Sequence, residues 1–140
     1  MARLIIPSAL MEKMVAHCRA AYPNETCGIL AGKEGTIEKI YEMTNIEPSP
    51  VSYLMDPKEQ FLAMKEMRTE GNRMIAIYHS HPQSPAYPSS KDVSLAFYPD
   101  AVYVIVSLID RNKPEIRAFE IKEWNVSEVT VYPSNSKENR

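Results

Sequence analysis

Two of the chain's three histidines, His79 and His81, stand one residue apart, and the loop after them leads to Ser89 and Asp92. Two imidazoles, a hydroxyl and a carboxylate in one short stretch are the side chains of a divalent metal site. On a strand, positions i and i+2 face the same side, so His79 and His81 converge while Ser80 points away. On a helix the same spacing splays the rings apart. The apolar run Met74-Ile75-Ala76-Ile77-Tyr78 just ahead of them supports the strand. Neutral imidazole suits zinc, and a catalytic zinc takes three protein ligands and keeps one position for water. The third histidine, His17, falls on a separate helical segment, which makes Asp92 the better third ligand. Two neutral ligands and one anion leave the centre net positive, a Lewis acid able to bring the pKa of its water to about 7.

Each part also has an ordinary reading. A His-x-His pair at a strand end can be plain polar surface. Ser89-Ser90-Lys91-Asp92 fits a capping box, in which Ser89 caps a helix and Asp92 answers it. The same cap can be the scaffold that fixes the hydroxyl and the carboxylate in place, so the two readings coexist. A hydrolase further needs a base for the attacking water. Glu25, just ahead of a buried strand, is a candidate, although its position alone reads as a solvated loop residue.

The elements that position these groups follow from periodicity and punctuation. Pro7 and Ser8 introduce a helix in which Leu10, Met11, Met14, Val15, Cys18 and Ala21 recur at helical spacing, ended by Tyr22-Pro23-Asn24. Residues 27–31 read as a short buried strand closing at Gly32, with residues 36–43 as its hairpin partner. Residues 45–52, with Pro48 and Pro50, form a loop. Asp56-Pro57-Lys58-Glu59 starts a second helix, with Asp56 as cap, Pro57 in the first turn and Glu59 reaching back. That helix runs to a break at Gly71. Residues 74–78 form a central strand that leads into His79, residues 90–98 a short helix, residues 101–109 the most apolar strand and residues 115–131 a hairpin. Ser134 to Arg140 is a polar tail that need not be ordered.

The chain has 140 residues, of which 44% are hydrophobic and 24% charged, which predicts one soluble globular domain with a core of its own. A net charge of -2 with scattered lysines and arginines argues against a nucleic-acid surface. No apolar stretch is long enough to span a bilayer, and the run in Met1 to Pro7 is too short for a signal peptide. Cys18 and Cys27 make no Cys-x-x-Cys pattern. Free thiols in a reducing cytoplasm are expected, with a disulfide between them the lesser reading.

Glu25-Thr26-Cys27-Gly28-Ile29-Leu30, then His79-Ser80-His81-Pro82 and Ser89-x-x-Asp92, with seven residues between His81 and Ser89, resemble the signature of the JAMM, or MPN-plus, metallopeptidases. The element order is similar to that of the compact MPN domain, and the likeness covers nearly the whole chain. It implies a single α/β domain of the α+β type over residues 1–133, with a mixed, mostly antiparallel curved sheet flanked by helices, then a tail at 134–140. It implies one zinc ion per chain on His79, His81 and Asp92. Glu25 would take a proton from the zinc-bound water and deliver it to the leaving amine, and Ser89 would hydrogen-bond the oxyanion. Cys27 is expected to be a buried packing residue, His17 a helix-surface or half-buried histidine, and Tyr53, Tyr78 and Tyr87 candidate borders of the cleft.

The family cleaves amide bonds, often after the C-terminal Gly-Gly of ubiquitin or a ubiquitin-like protein. An extended tail would lie along a strand edge, flanked by residues 45–52 and 83–88. The short chain is most similar to the stand-alone prokaryotic members, which points to the C-terminal tail of a sulfur-carrier protein as substrate, with neither nucleic acid nor membrane as partner. Two alternatives stay open: a metal-free MPN scaffold or binding module, and a zinc hydrolase of a small amide.

Overall fold

The computed structural model describes residues 3 to 134. Seven strands close into one barrel. They are β1 (Arg3–Pro7), β2 (Cys27–Lys33), β3 (Thr36–Met43), β4 (Arg73–His81), β5 (Val102–Ser107), β6 (Glu115–Lys122) and β7 (Asn125–Ser134), in the spatial order β1-β3-β2-β4-β5-β6-β7. Three helices interrupt them: α1 (Ser8–Ala21), α2 (Pro57–Thr69) and α3 (Ser90–Ser94). The β1–β3, β1–β7 and β4–β5 pairs are parallel and the other four antiparallel, so the sheet is mixed and mostly antiparallel as expected.

Three features differ from what the sequence predicts. The expected curvature goes as far as closure, because residues 3–7 form a strand that pairs with both β3 and β7. This strand is only five residues long and runs straight into α1, so periodicity had too little to register. The helix expected over 90–98 ends at Ser94, since residues 96–98 turn back through the Ala96 N–H to Val93 and Phe97 N–H to Leu95 carbonyls. Ser134 belongs to β7 rather than to a tail, and residues 135–140 lie outside the described residues. No helix among the described residues is long and apolar enough to cross a membrane.

Two apolar clusters lie on opposite faces of β4 and β5. One takes residues from every strand, such as Leu4, Leu30, Ile40, Tyr78, Val104, Ala118 and Val129, and fills the barrel, with Met14 and Cys18 of α1 packed into it. The other covers the outer face, where Ile77, Ile105 and Phe119 meet Ala63 and Met67 of α2. Strand β5 is buried on both faces, which explains its continuous apolar run. The alternation sends Tyr78 into the barrel and Ile77, with the histidines that follow in register, to the outer face. Gly28 makes this possible: a Cβ there would stand 2.2 Å from the Tyr78 ring.

Candidate metal centre

His79 and His81 end β4, and β4 is hydrogen-bonded on both sides there, His79 opposite Cys27 of β2 and Ile105 of β5. His79 is therefore held by two neighbouring strands and His81 by β5, and both are buried. Their Nε2 atoms stand 3.1 Å apart. Asp92 Oδ2 lies 2.9 Å from His81 Nε2 and 3.2 Å from His79 Nε2. Four zinc ligands at about 2.0–2.1 Å in a tetrahedron stand roughly 3.3 Å from one another, so the three donors have the spacing of one such ion.

Their protonation points the same way. His81 Nδ1 lies 2.8 Å from the Pro85 carbonyl, which only accepts, so that nitrogen carries the proton. In the neutral ring the Nε2 lone pair then faces Asp92 Oδ2 and His79 Nε2. Two acceptors, this lone pair and the Asp92 carboxylate, face one another at 2.9 Å and need a cation between them. With a proton as that cation, burial acts to lower the His81 pKa, but the hydrogen bonds to Asp92 and Pro85 outweigh it and raise it. Burial likewise acts to raise the Asp92 pKa, and the two histidines and the Ser89 N–H hold it well below the usual carboxylate range. A zinc ion satisfies the same set with all three ligands in their binding form.

The other two expected residues join this group by different routes. Ser89 is the N-cap of α3, and its hydroxyl oxygen accepts the Asp92 N–H at 3.0 Å. The Ser89 N–H donates to Asp92 Oδ2 at 2.9 Å, so the capping box is complete. With its oxygen used as acceptor, the Ser89 hydroxyl proton is free to be donated outward. The cap and the ligand are thus one structure: Asp92 Oδ2 closes the cap and faces both histidines.

Glu25 is brought in by Ser80, the residue that points away from the histidines. The Ser80 hydroxyl accepts the Thr26 N–H at 2.8 Å, and the Ser80 N–H donates to the Thr26 carbonyl at 3.1 Å. Asn45 Nδ2 holds the Glu25 carbonyl at 3.0 Å. The Glu25 carboxyl is buried, and its Oε1 has no hydrogen-bond partner among the described residues. Burial, partly offset by the charge of His81, pushes its pKa up to about 8. A buried carboxyl that titrates near neutrality is suited to taking and returning one proton. Ser80 and Asn45 have no motif of their own; a small hydroxyl between two ligand histidines was the available signal for the first.

A cleft of about 210 Å³ opens onto His79 and Asp92. One wall is Ser52, Tyr53, Leu54 and Met55, the other Pro88, Lys91, Leu95, Phe97 and Tyr98, and Ile77, Tyr103, Ile105 and Ile121 also line it. Only the last residues of the two expected flanking loops, Ser52 and Pro88, are in those walls. Tyr53 borders the cleft as expected, its ring 4.9 Å from that of His79. Tyr78 does not: it is inside the barrel, with its hydroxyl 2.6 Å from Nδ1 of half-buried His17. Tyr87 is outside the cleft lining and packs edge-on against Phe119. At His79, β2 and β5 occupy both edges of β4. Glu59, expected to reach back within its helix, instead accepts the N–H and hydroxyl of Thr44, at 2.7 and 2.8 Å. Cys18 and Cys27 are free and buried, and burial pushes both thiols up to about 12, so Cys27 is a packing residue.

Residues 7–122 match the family model described as prokaryotic homologs of the JAB domain. The chain is 43% identical over 130 residues to the CysO-cysteine peptidase of Mycobacterium tuberculosis, covering 91% of this chain and 89% of that one. It is 39% identical over 94 residues to a probable TtuB-protein conjugate cleaving protease of Thermus thermophilus, covering 66% of this chain and 63% of that one. The solution structure of a protein from Desulfitobacterium hafniense superposes with a TM-score of 0.88 at 40% identity, covering 95% and 94% of the two chains. With most of its length matched by the family model and its donor residues gathered at one strand end, the chain belongs to the family of prokaryotic homologs of the JAB domain.

Proposed function

We propose that this protein is a zinc-dependent peptidase and isopeptidase that hydrolyses the amide bond after the C-terminal Gly-Gly of a ubiquitin-like sulfur-carrier protein. The observation that carries the reading is the convergence of one potential ligand atom each from His79, His81 and Asp92 within 4.8 Å, together with a buried carboxyl at Glu25 whose Oε1 has no partner among the described residues. His79, His81 and Asp92 would hold the zinc, which would supply Lewis acidity to water and to the scissile carbonyl. Glu25 takes the proton of the attacking water and returns it to the leaving amine. Ser89 donates its free hydroxyl proton to the oxyanion that forms as the carbonyl is attacked. The apolar cleft beside His79 receives the slender tail of the carrier. The two relatives at 43% and 39% identity, named for CysO-cysteine and TtuB-protein conjugates, support a carrier substrate. Two free thiols fit a reducing cytoplasm. Residues 3–134, which include all seven barrel strands, act as one catalytic domain.

The test is cleavage of a sulfur-carrier protein extended beyond its Gly-Gly, comparing wild type, chelator-treated protein and Glu25→Ala. Wild type trims the extension after the glycines, and the other two fail, with Glu25→Ala still binding zinc. Equal cleavage by all three overturns the mechanism. Zinc binding without cleavage of any carrier turns the reading towards a small amide.

A further inference from the structure

Strand β5 carries one polar residue at its end, Ser107, in an otherwise apolar and fully buried run. A buried hydroxyl is costly unless bonded. Ser107 lies opposite His81 in the parallel β4–β5 register, on the same face as the metal ligands. Its hydroxyl donates to the Ser84 carbonyl at 2.7 Å and accepts the Ile109 N–H at 3.4 Å. The next carbonyl along the loop, that of Pro85, takes the proton of His81 Nδ1 at 2.8 Å. Two consecutive carbonyls are therefore pinned, one by Ser107 and one by the ligand histidine. Only the first anchor is independent of the metal site. His79 has no such support, as its Nδ1 is buried without a partner among the described residues.

We propose that Ser107 is a positioning residue for the metal centre. By holding Ser84 it sets the Pro85 carbonyl against His81, which keeps the proton on Nδ1 and the Nε2 lone pair on the metal position. The inference rests on the metal reading above and concerns ligand orientation, not the identity of the substrate. Partners of this kind around a ligand histidine are worth about 10–100-fold in metal affinity.

The test is zinc affinity of the metal-free protein, by competition with a chromophoric chelator, together with ¹⁵N NMR of the histidine rings at alkaline pH, where His81 is neutral. Ser107→Ala is expected to weaken zinc binding by about 10–100-fold and to leave His81 as a mixture of tautomers. Ser107→Thr keeps the hydroxyl and restores both. Should Ser107→Ala fail to fold, Ser107→Cys, similar in size but a weak donor, carries the same expectation. Wild-type affinity with an unchanged tautomer in the Ala or Cys variant overturns the proposal. So does equal weakening in the Ala and Thr variants, which marks a packing role. If the wild type itself binds no zinc, the metal reading fails first.

Discussion

Helix α2 begins at Asp56, whose carboxylate accepts the N–H groups of Lys58 and Glu59; helix α3 begins at Ser89, whose hydroxyl accepts the N–H of Asp92. The motifs are close relatives, yet the helices they start are not. Helix α2 has 13 residues and buries Ala63 and Met67 against the outer face of the sheet. Packing holds it, and the cap is an increment. Helix α3 has five residues and none of them is buried. A helix that short has no stability of its own in water. It is held by its cap, tied to β4 through Asp92 and the two histidines, and by the half-buried Val93 against the outer cluster. The fourth residue of each motif tells the difference: Glu59 leaves its cap to bind Thr44, whereas Asp92 stays in the cap and meets His79 and His81.

Four experiments can break or sharpen this contrast. Asp92→Ala should lose zinc and carrier cleavage, by 10³-fold or more on the order of a missing ligand or activating group. Zinc analysis checks it, and full occupancy in the variant would reduce Asp92 to a cap residue. Ser89→Ala should keep zinc and lose about 10²–10³ in kcat, the usual worth of one oxyanion donor. Ser89→Asp restores a good cap without the hydroxyl, so it should recover stability and not activity. Recovery of both in steady-state kinetics would show that only the cap mattered.

The third experiment uses pH on the metal-free protein. Burial raises the Glu25 pKa from 4.5 to about 8. The folded state therefore holds a proton that the unfolded chain has released. The contribution is complete below pH 4.5 and lost as pH rises through about 8. His81, also raised, adds in the same direction above its ordinary value of 6.5. Urea titrations should show a loss of roughly 2–4 kcal/mol over that window, with most of the slope removed in Glu25→Gln. A Glu25→Gln slope equal to that of wild type would mean that the carboxyl is not buried. The smallest effect belongs to α2: Asp56→Ala should cost about 1 kcal/mol in the same titrations and leave zinc and activity intact. Loss of zinc in Asp56→Ala would erase the distinction between the two caps.

Much of this centre was legible because it is local. His79 and His81 share a face by strand alternation, and Ser89 and Asp92 share a cap by helix spacing, so residue types and distances along the chain were sufficient. Residues 36–43 were placed to the residue as β3, since the hairpin is short-range too. The approach to Glu25 was not legible from its neighbours. It depends on Ser80 and Thr26, separated by 54 positions, meeting side by side across β4 and β2. Tyr78 was misplaced because a tyrosine at a strand end looks the same whether it turns into the barrel or towards the cleft.

By itself, the sequence determined the donor set and its chemistry: two imidazoles, one carboxylate and one hydroxyl, each in a local frame that points it usefully. Tertiary structure decided where those frames meet. Closure through β1, the register that sets His79 opposite Cys27 and His81 opposite Ser107, and the carbonyls of Ser84 and Pro85 all come from contacts distant in the chain. Local spacing constrains which face a side chain takes. Only the pairing of strands constrains what stands across from it, and that pairing is set by the burial of the whole core rather than by any one segment.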